Sequence, residues 1–213
     1  MNRRTALQQL GSIALLAGPA GTVLAQGSAR FQTLDPAVAT SSPGKVEVLE
    51  FFHYGCPHCR DFDPLLEQWK KNLPADVVFV RVPAIWGNAQ LRGLAQLYYA
   101  IEASGQVDAL HGAVFGAVQS DKLPLFSEDG VRDWVSKRGV DAKAFMDVYK
   151  SFGVQSMVQR ADQVARSYKI QGVPTMAVGG RYLTSASMTG SHPAALKMVD
   201  ELIVRARGEQ KAN

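Results

Sequence analysis

The sequence predicts an α/β fold in the order βαβ, an all-helical insertion, then ββα. Three observations carry that expectation. The nearly continuous apolar run Val46-Glu47-Val48-Leu49-Glu50-Phe51-Phe52 gives way after Pro57 to a helical stripe, and a second apolar run follows at residues 77–82. Residues 88–170 then carry one amphipathic stripe after another. Finally, Gly179-Gly180 separates two short β-prone runs, which is a hairpin signal.

The chain opens Met1-Asn2-Arg3-Arg4, passes through Ile13-Ala14-Leu15-Leu16-Ala17 and reaches Val23-Leu24-Ala25. A basic start, a short apolar stretch and small residues before a cut after Ala25 describe a cleavable secretory signal peptide, residues 1–25. The stretch is broken by Gly11, Gly18 and Pro19 and is shorter than the ~20 apolar residues that span a bilayer. Arg3-Arg4 is compatible with twin-arginine export as well as ordinary secretion. The mature chain is therefore expected to be soluble and outside the cytoplasm. Without Arg3 and Arg4 the formal charge falls from +4 to +2, too weak an excess to argue for nucleic acid or an anionic membrane.

Residues 26–44 read as an extended lead-in with a turn at Ser41-Ser42-Pro43-Gly44. The apolar run from Val46 to Phe52 is typical of a strand covered on both faces, and Glu50 is its anomaly. An exposed strand end and a buried acid beside a reactive site both account for it. From Pro57, which suits a first helical turn, Cys59, Phe62, Leu66, Trp69 and Leu73 follow helical spacing, with a kink expected at Pro64 and a stop at Pro74. The strand at residues 77–82 completes a βαβ unit, expected to be parallel. In the helical block, Ser127 and Asp141 are candidate N-caps. Strands resume at Pro174 and at Arg181, and Ser191 can cap a last helix before a polar tail at residues 208–213. These boundaries divide the mature chain into an α/β domain of residues 26–87 and 171–213 and an inserted helical subdomain of residues 88–170.

The chemistry is concentrated at Cys56-Pro57-His58-Cys59, which holds the only two cysteines of the 213 residues. Two cysteines this close staple no loop, so they are read as a dithiol redox site. A disulfide needs Cα atoms about 5–6 Å apart, which positions i and i+3 on a first helical turn provide. Cys56 at the helix start is expected to be the exposed sulfur, its thiolate stabilised by unpaired N–H groups and the helix dipole. Cys59, one turn on, is expected to be the buried resolving sulfur. His58 can add positive charge or a hydrogen bond, and Pro57 stiffness. A zinc site would need two more ligands at matching spacing, and His53, His111 and His192 supply none, so no metal is expected. His111 and His192 read as ordinary surface or partly buried histidines. Cofactors are expected to be none beyond the redox-active disulfide Cys56–Cys59 itself.

These residues resemble the thioredoxin superfamily and, within it, the DsbA family of periplasmic thiol oxidases. The resemblance rests on Val48-Leu49-Glu50-Phe51-Phe52 leading to Cys56-Pro57-His58-Cys59, and on Gly172-Val173-Pro174 before the hairpin. It implies a thioredoxin-like fold and oxidation of secreted polypeptides that carry free thiols. It also implies that Val173-Pro174 is a cis peptide bond beside the dithiol, where the substrate backbone would pair. By the same analogy Glu50 is a buried acid beneath the dithiol, and Arg81 lies near a position where the family often has a basic partner. A membrane quinone reductase of the DsbB type would restore the disulfide. Tyr54-Gly55 and Pro64 depart from the family pattern and bear on substrate preference and potential. A disulfide isomerase or reductase is an alternative, as is a non-enzymatic peptide-binding chaperone using the groove beside Pro174. Isomerase relatives usually carry a dimerisation domain ahead of the first strand, where this sequence has about twenty residues after the cut, so a monomer is expected.

Overall fold

The computed structural model describes residues 29–212, and the expected signal segment, residues 1–25, lies outside the described residues. The described residues begin with β1 (Gln32–Thr33) and β2 (Val46–Phe52), then α1 (Pro57–Lys70) and β3 (Val77–Pro83). Five helices follow: α2 (Ala89–Ala103), α3 (Val107–Gln119), α4 (Glu128–Ser136), α5 (Ala142–Tyr149) and α6 (Phe152–Ser167). The chain returns to the sheet with β4 (Thr175–Val178) and β5 (Tyr182–Thr184), and closes with α7 (Ala186–Thr189) and α8 (His192–Ala212).

Among the described residues the sheet has five strands in the order β1-β5-β4-β2-β3. β2 is an interior strand because both its faces are apolar, and all seven of its residues are buried. It pairs parallel with β3, as the βαβ reading expects, and antiparallel with β4. The β2–β3 register sets Glu50 directly opposite Arg81. One face of the sheet packs Val46, Val48 and Val178 against Phe62 and Leu66 of α1 and Val199 and Leu202 of α8. On the other side Leu49, Phe51 and Phe52 share one continuous core with Leu97, Ile101, Phe115, Val158 and Tyr168 of the helical block. The buried Glu47 accepts from the Ser41 N–H at 3.0 Å and from the Ser42 hydroxyl at 3.3 Å, fixing the lead-in turn to the edge of the core.

The expected helices are present with their caps. The Ser127 hydroxyl accepts from the Gly130 N–H and the Asp141 carboxylate from the Ala144 N–H, while Asn88 and Ser151 cap α2 and α6 in the same way. α1 runs continuously through Pro64. β1 and α7 are too short to carry a periodic signal. The tail expected at residues 208–213 is instead the end of α8 as far as Ala212. Past Gly208 it carries Glu209, Gln210, Lys211 and Ala212, all good helix formers, and Arg207 anchors the turn before them to Asp76 at 2.6 Å. Among the described residues no helix is long and apolar enough to cross a membrane.

One close approach locks the helical block. A Cβ on Gly93 of α2 would stand 2.2 Å from the Phe126 carbonyl oxygen. Gly93→Ala is therefore expected to lower the free energy of urea unfolding by about 1–3 kcal/mol through overpacking. The ~1 kcal/mol that alanine adds to an unobstructed helix would give a rise instead, and a rise would show that α2 has room to shift.

Candidate active site

β2 ends at Phe52 and delivers the turn His53-Tyr54-Gly55 to α1, closed by the Cys56 N–H donating to the His53 carbonyl at 3.0 Å. Cys56 is the N-cap of α1, with extended backbone, and Pro57 occupies the first turn, where its missing N–H costs nothing. Both cysteines are free thiols. Cys56 is 8% exposed and Cys59 not at all, so the outer sulfur is more recessed than the sequence suggested, though still the accessible one of the pair. Pro57 and His58 are exposed above them.

The two sulfurs titrate in opposite directions. A hydrogen bond from the Cys59 thiol, aided by the backbone N–H groups of Cys59 and His58 and by the His58 charge, brings Cys56 down to about 6 against its partial burial. The ordinary thiol value lies near 9. Burial drives Cys59 far above that value, and its hydrogen bond to Cys56 and the neighbouring Glu50 charge push the same way.

Val173-Pro174 is a cis peptide bond, as the resemblance implied. The Val173 carbonyl accepts from the Cys56 thiol at 3.4 Å, across 117 residues of sequence. Cys56, Pro57, His58, Cys59, Glu50, Val173 and Pro174 are thus gathered at one place.

Beneath the dithiol lies a charged cluster. Glu50 is buried, which resolves the open reading of its place in β2, and Arg81 Nε donates to it at 3.0 Å with both side chains only 2% exposed. The same guanidinium donates to Asp63 at 2.8 Å and Glu67 at 2.6 Å, both on α1. Burial works against the Arg81 charge, but the three carboxylates more than offset it and raise its pKa. Burial raises the Glu50 carboxyl to about 7 even though Arg81 pulls it down. Asp63 is held below its ordinary value despite burial, by His111 and Arg81 beside it.

His111 is not the ordinary surface or partly buried residue the sequence suggested. It is buried in the ring cluster of Phe52, Tyr54, Tyr98 and Phe115, and burial lowers its pKa against the pull of Asp63. Its Nδ1 shares a hydrogen bond with the Tyr54 hydroxyl at 2.7 Å, and its Nε2 lies 3.2 Å from Asp63 Oδ1. His192 also sits at the site, its ring centroid 5.1 Å from Phe62 and 6.4 Å from His58. Sequence reasoning missed Asp63, Glu67 and Gln119 altogether. Asp63 and Glu67 did leave a trace, since residues four apart share a helix face. Gln119, which reaches the cysteine turn from α3, left none.

Fold and site together define a dithiol oxidoreductase of the thioredoxin type. A family profile described as "DSBA-like thioredoxin domain" matches residues 47–196. A Bordetella parapertussis protein named "Thiol:disulfide interchange protein DsbA" is 44% identical over 184 residues, covering 86% of this chain and 87% of that protein. A Pseudomonas aeruginosa protein of the same name is 37% identical over 179 residues, covering 84% of each. The crystal structure of Pseudomonas aeruginosa DsbA superposes with a TM-score of 0.82 at 36% identity, covering 86% of this chain and 95% of that one. The chain belongs to the DsbA-like thioredoxin domain family, and it is a thiol:disulfide oxidoreductase.

The raised Glu50 pKa has a consequence for stability. A carboxyl whose folded pKa stands above its ordinary value stabilises the fold fully below about 4.5 and loses that contribution as the pH rises through about 7. Relative to Glu50→Gln, the wild type is expected to lose roughly 3 kcal/mol of unfolding free energy over that window. Urea midpoints of the reduced proteins at several pH values measure this. Parallel curves would mean that Glu50 keeps an ordinary pKa.

Proposed function

We propose that the protein introduces disulfide bonds into secreted polypeptides, with Cys56 as the interchange sulfur and Cys59 as its resolving partner. The observation that carries this reading is the placement of the two sulfurs, Cys56 at the N-cap of α1 against the Val173 carbonyl and Cys59 fully buried in the first turn. In the oxidised protein a substrate thiolate attacks Cys56 Sγ and forms the mixed disulfide. The Cys56–Cys59 bond breaks, and its electron pair leaves on Cys59. That sulfur holds a proton strongly, so it ends as a thiol, with the buried Glu50 carboxyl as the nearby proton source. A second substrate thiolate then attacks the substrate sulfur of the mixed disulfide, and Cys56 departs as a stabilised thiolate. The substrate loses two electrons and the protein gains them.

The roles of the neighbours follow from their places. His58 and the first-turn N–H groups stabilise the departing Cys56 thiolate, which makes the disulfide a stronger oxidant. Pro57 keeps the first turn rigid. Val173 and Pro174 offer the backbone along which an extended substrate segment pairs, their carbonyl already within reach of Cys56 Sγ. The electrons pass through the cysteine pair alone, so the reaction as written needs no added cofactor. The site of action is the periplasm, reached through the signal segment 1–25 and followed by cleavage. The partners are unfolded secreted polypeptides with free thiols and, for reoxidation, a membrane quinone reductase of the DsbB type. The protein works as a monomer.

Equilibration of the Cys56–Cys59 disulfide with glutathione tests the direction of the reaction. A strongly oxidising potential is expected, and a value near that of thioredoxin, about −270 mV, would overturn the oxidase reading. Cys56→Ser is expected to abolish oxidation of a reduced test protein, whereas retained activity would point to peptide binding alone. His58→Ala is expected to move the thiolate absorbance titration of Cys56 upward and to make the disulfide about tenfold less oxidising against glutathione. An unshifted titration would remove His58 from the tuning role.

A further inference from the structure

The turn that carries Cys56 is gripped from outside the sheet by one helix. α3 holds Tyr54 at both ends. His111 Nδ1 shares a hydrogen bond with its hydroxyl at 2.7 Å, and Gln119, two helical turns further on, donates from Nε2 to its carbonyl at 2.8 Å. The second hydrogen of the same amide goes to the Cys56 carbonyl at 3.0 Å. The Cys56 carbonyl also accepts from the Arg60 N–H at 3.2 Å, so it is the first acceptor of α1. One carboxamide therefore bridges the two carbonyls on either side of Gly55. The amide has only one workable orientation, since the reverse would point its oxygen at two other carbonyl oxygens. Gln119 Oε1 is left buried without a hydrogen-bond partner among the described residues, an arrangement that costs free energy.

We propose that Gln119 is a positioning residue for the redox centre: its amide fixes the Tyr54 and Cys56 carbonyls and thereby the placement of the Cys56 sulfur over the first turn of α1. The chain enters that turn through Gly55, which offers no side chain to restrain it. The sulfur gains from the N–H groups of His58 and Cys59 only while the N-cap keeps its extended backbone and α1 starts at Pro57. Gln119 supplies that restraint from the helical block, so the block sets the reactivity of the dithiol as well as covering the sheet.

The inference rests on Cys56 being the interchange sulfur, and the test separates the two ideas. Gln119→Met keeps the length and removes both donors. In the reduced protein its Cys56 titration is expected to move toward the ordinary thiol value. The glutathione equilibrium is expected to become about three- to tenfold less oxidising, the size of effect that losing one or two hydrogen bonds produces. Gln119→Asn, which withdraws the amide by one methylene, is expected to shift both quantities the same way and gives the reading if the Met variant does not fold. Gln163→Met on the exposed face of α6 is the control and should leave both unchanged. The proposal is overturned if the Gln119 variants lose stability equally in both redox forms while titration and equilibrium stay at wild-type values. If the wild type itself shows no low-titrating thiol, it is the assignment of Cys56 that fails, whatever Gln119 does.

Discussion

A single guanidinium, buried between the central sheet and the first helix, is the constraint on which the site is built. Parallel pairing of β2 and β3 sets Arg81 opposite Glu50, and α1 lays Asp63 and Glu67 onto the same group. Each of these charges would be costly to bury alone, and removing one partner would leave the others uncompensated. The helix that carries both cysteines is therefore registered against the sheet by charge as well as by Phe62 and Leu66. The cluster also fixes the electrostatics of the inner sulfur. Three carboxylates share one arginine, with Lys70 reaching only Glu67. Of the three, Glu50 is the carboxylate whose charge bears on Cys59, and it opposes a thiolate there.

The helical block belongs to the same arrangement. Its α3 helix puts His111 into the ring cluster under the cysteine turn and Gln119 onto the turn's carbonyls. Through Asp63, which lies beside both Arg81 and His111, the block and the charged cluster are joined by one run of polar contacts. A shift of either helix would break these buried contacts, so they tie the placement of α3 to that of α1. This is a physical reason for a helical insertion to sit beside the dithiol.

Much of this could be read from the residues, and what could not has a common cause. The strands, the helical block and the cysteine pair follow from periodicity and from the change of period at Pro57. Even the Glu50–Arg81 pair had a trace. Each is the fifth residue of its apolar run, Glu50 counted from Val46 and Arg81 from Val77, so an in-register parallel pair sets them side by side. His111 stood on the apolar stripe of its helix with Val107, Val114 and Val118, a place where a surface histidine would not be. Gln119 and the contact of Val173 with Cys56 left no such mark, because they join segments more than sixty residues apart. No local pattern encodes the packing of α3, or of the β4 entry, against the cysteine turn. The helical tail of α8 was missed for the opposite reason. Polarity suggested a loop where intrinsic propensity favours helix.

On the proposed assignment, the asymmetry of the two sulfurs also sets the direction of exchange. Whatever stabilises a thiolate on Cys56 acts only in the reduced protein, because the disulfide has no charge to stabilise. By linkage those interactions favour the reduced form over the oxidised one, and the disulfide tends to be passed on to a substrate rather than kept. The features responsible are local to the outer sulfur: the first-turn N–H groups, His58 and the turn that aims it. The features that keep Cys59 protonated are different and lie deeper, in burial and in the neighbouring Glu50. Two nearby cysteines on one helical turn would be close to equivalent in isolation. The fold makes them unequal by giving one the end of a helix and burying the other beside Glu50, and that inequality gives the exchange its direction.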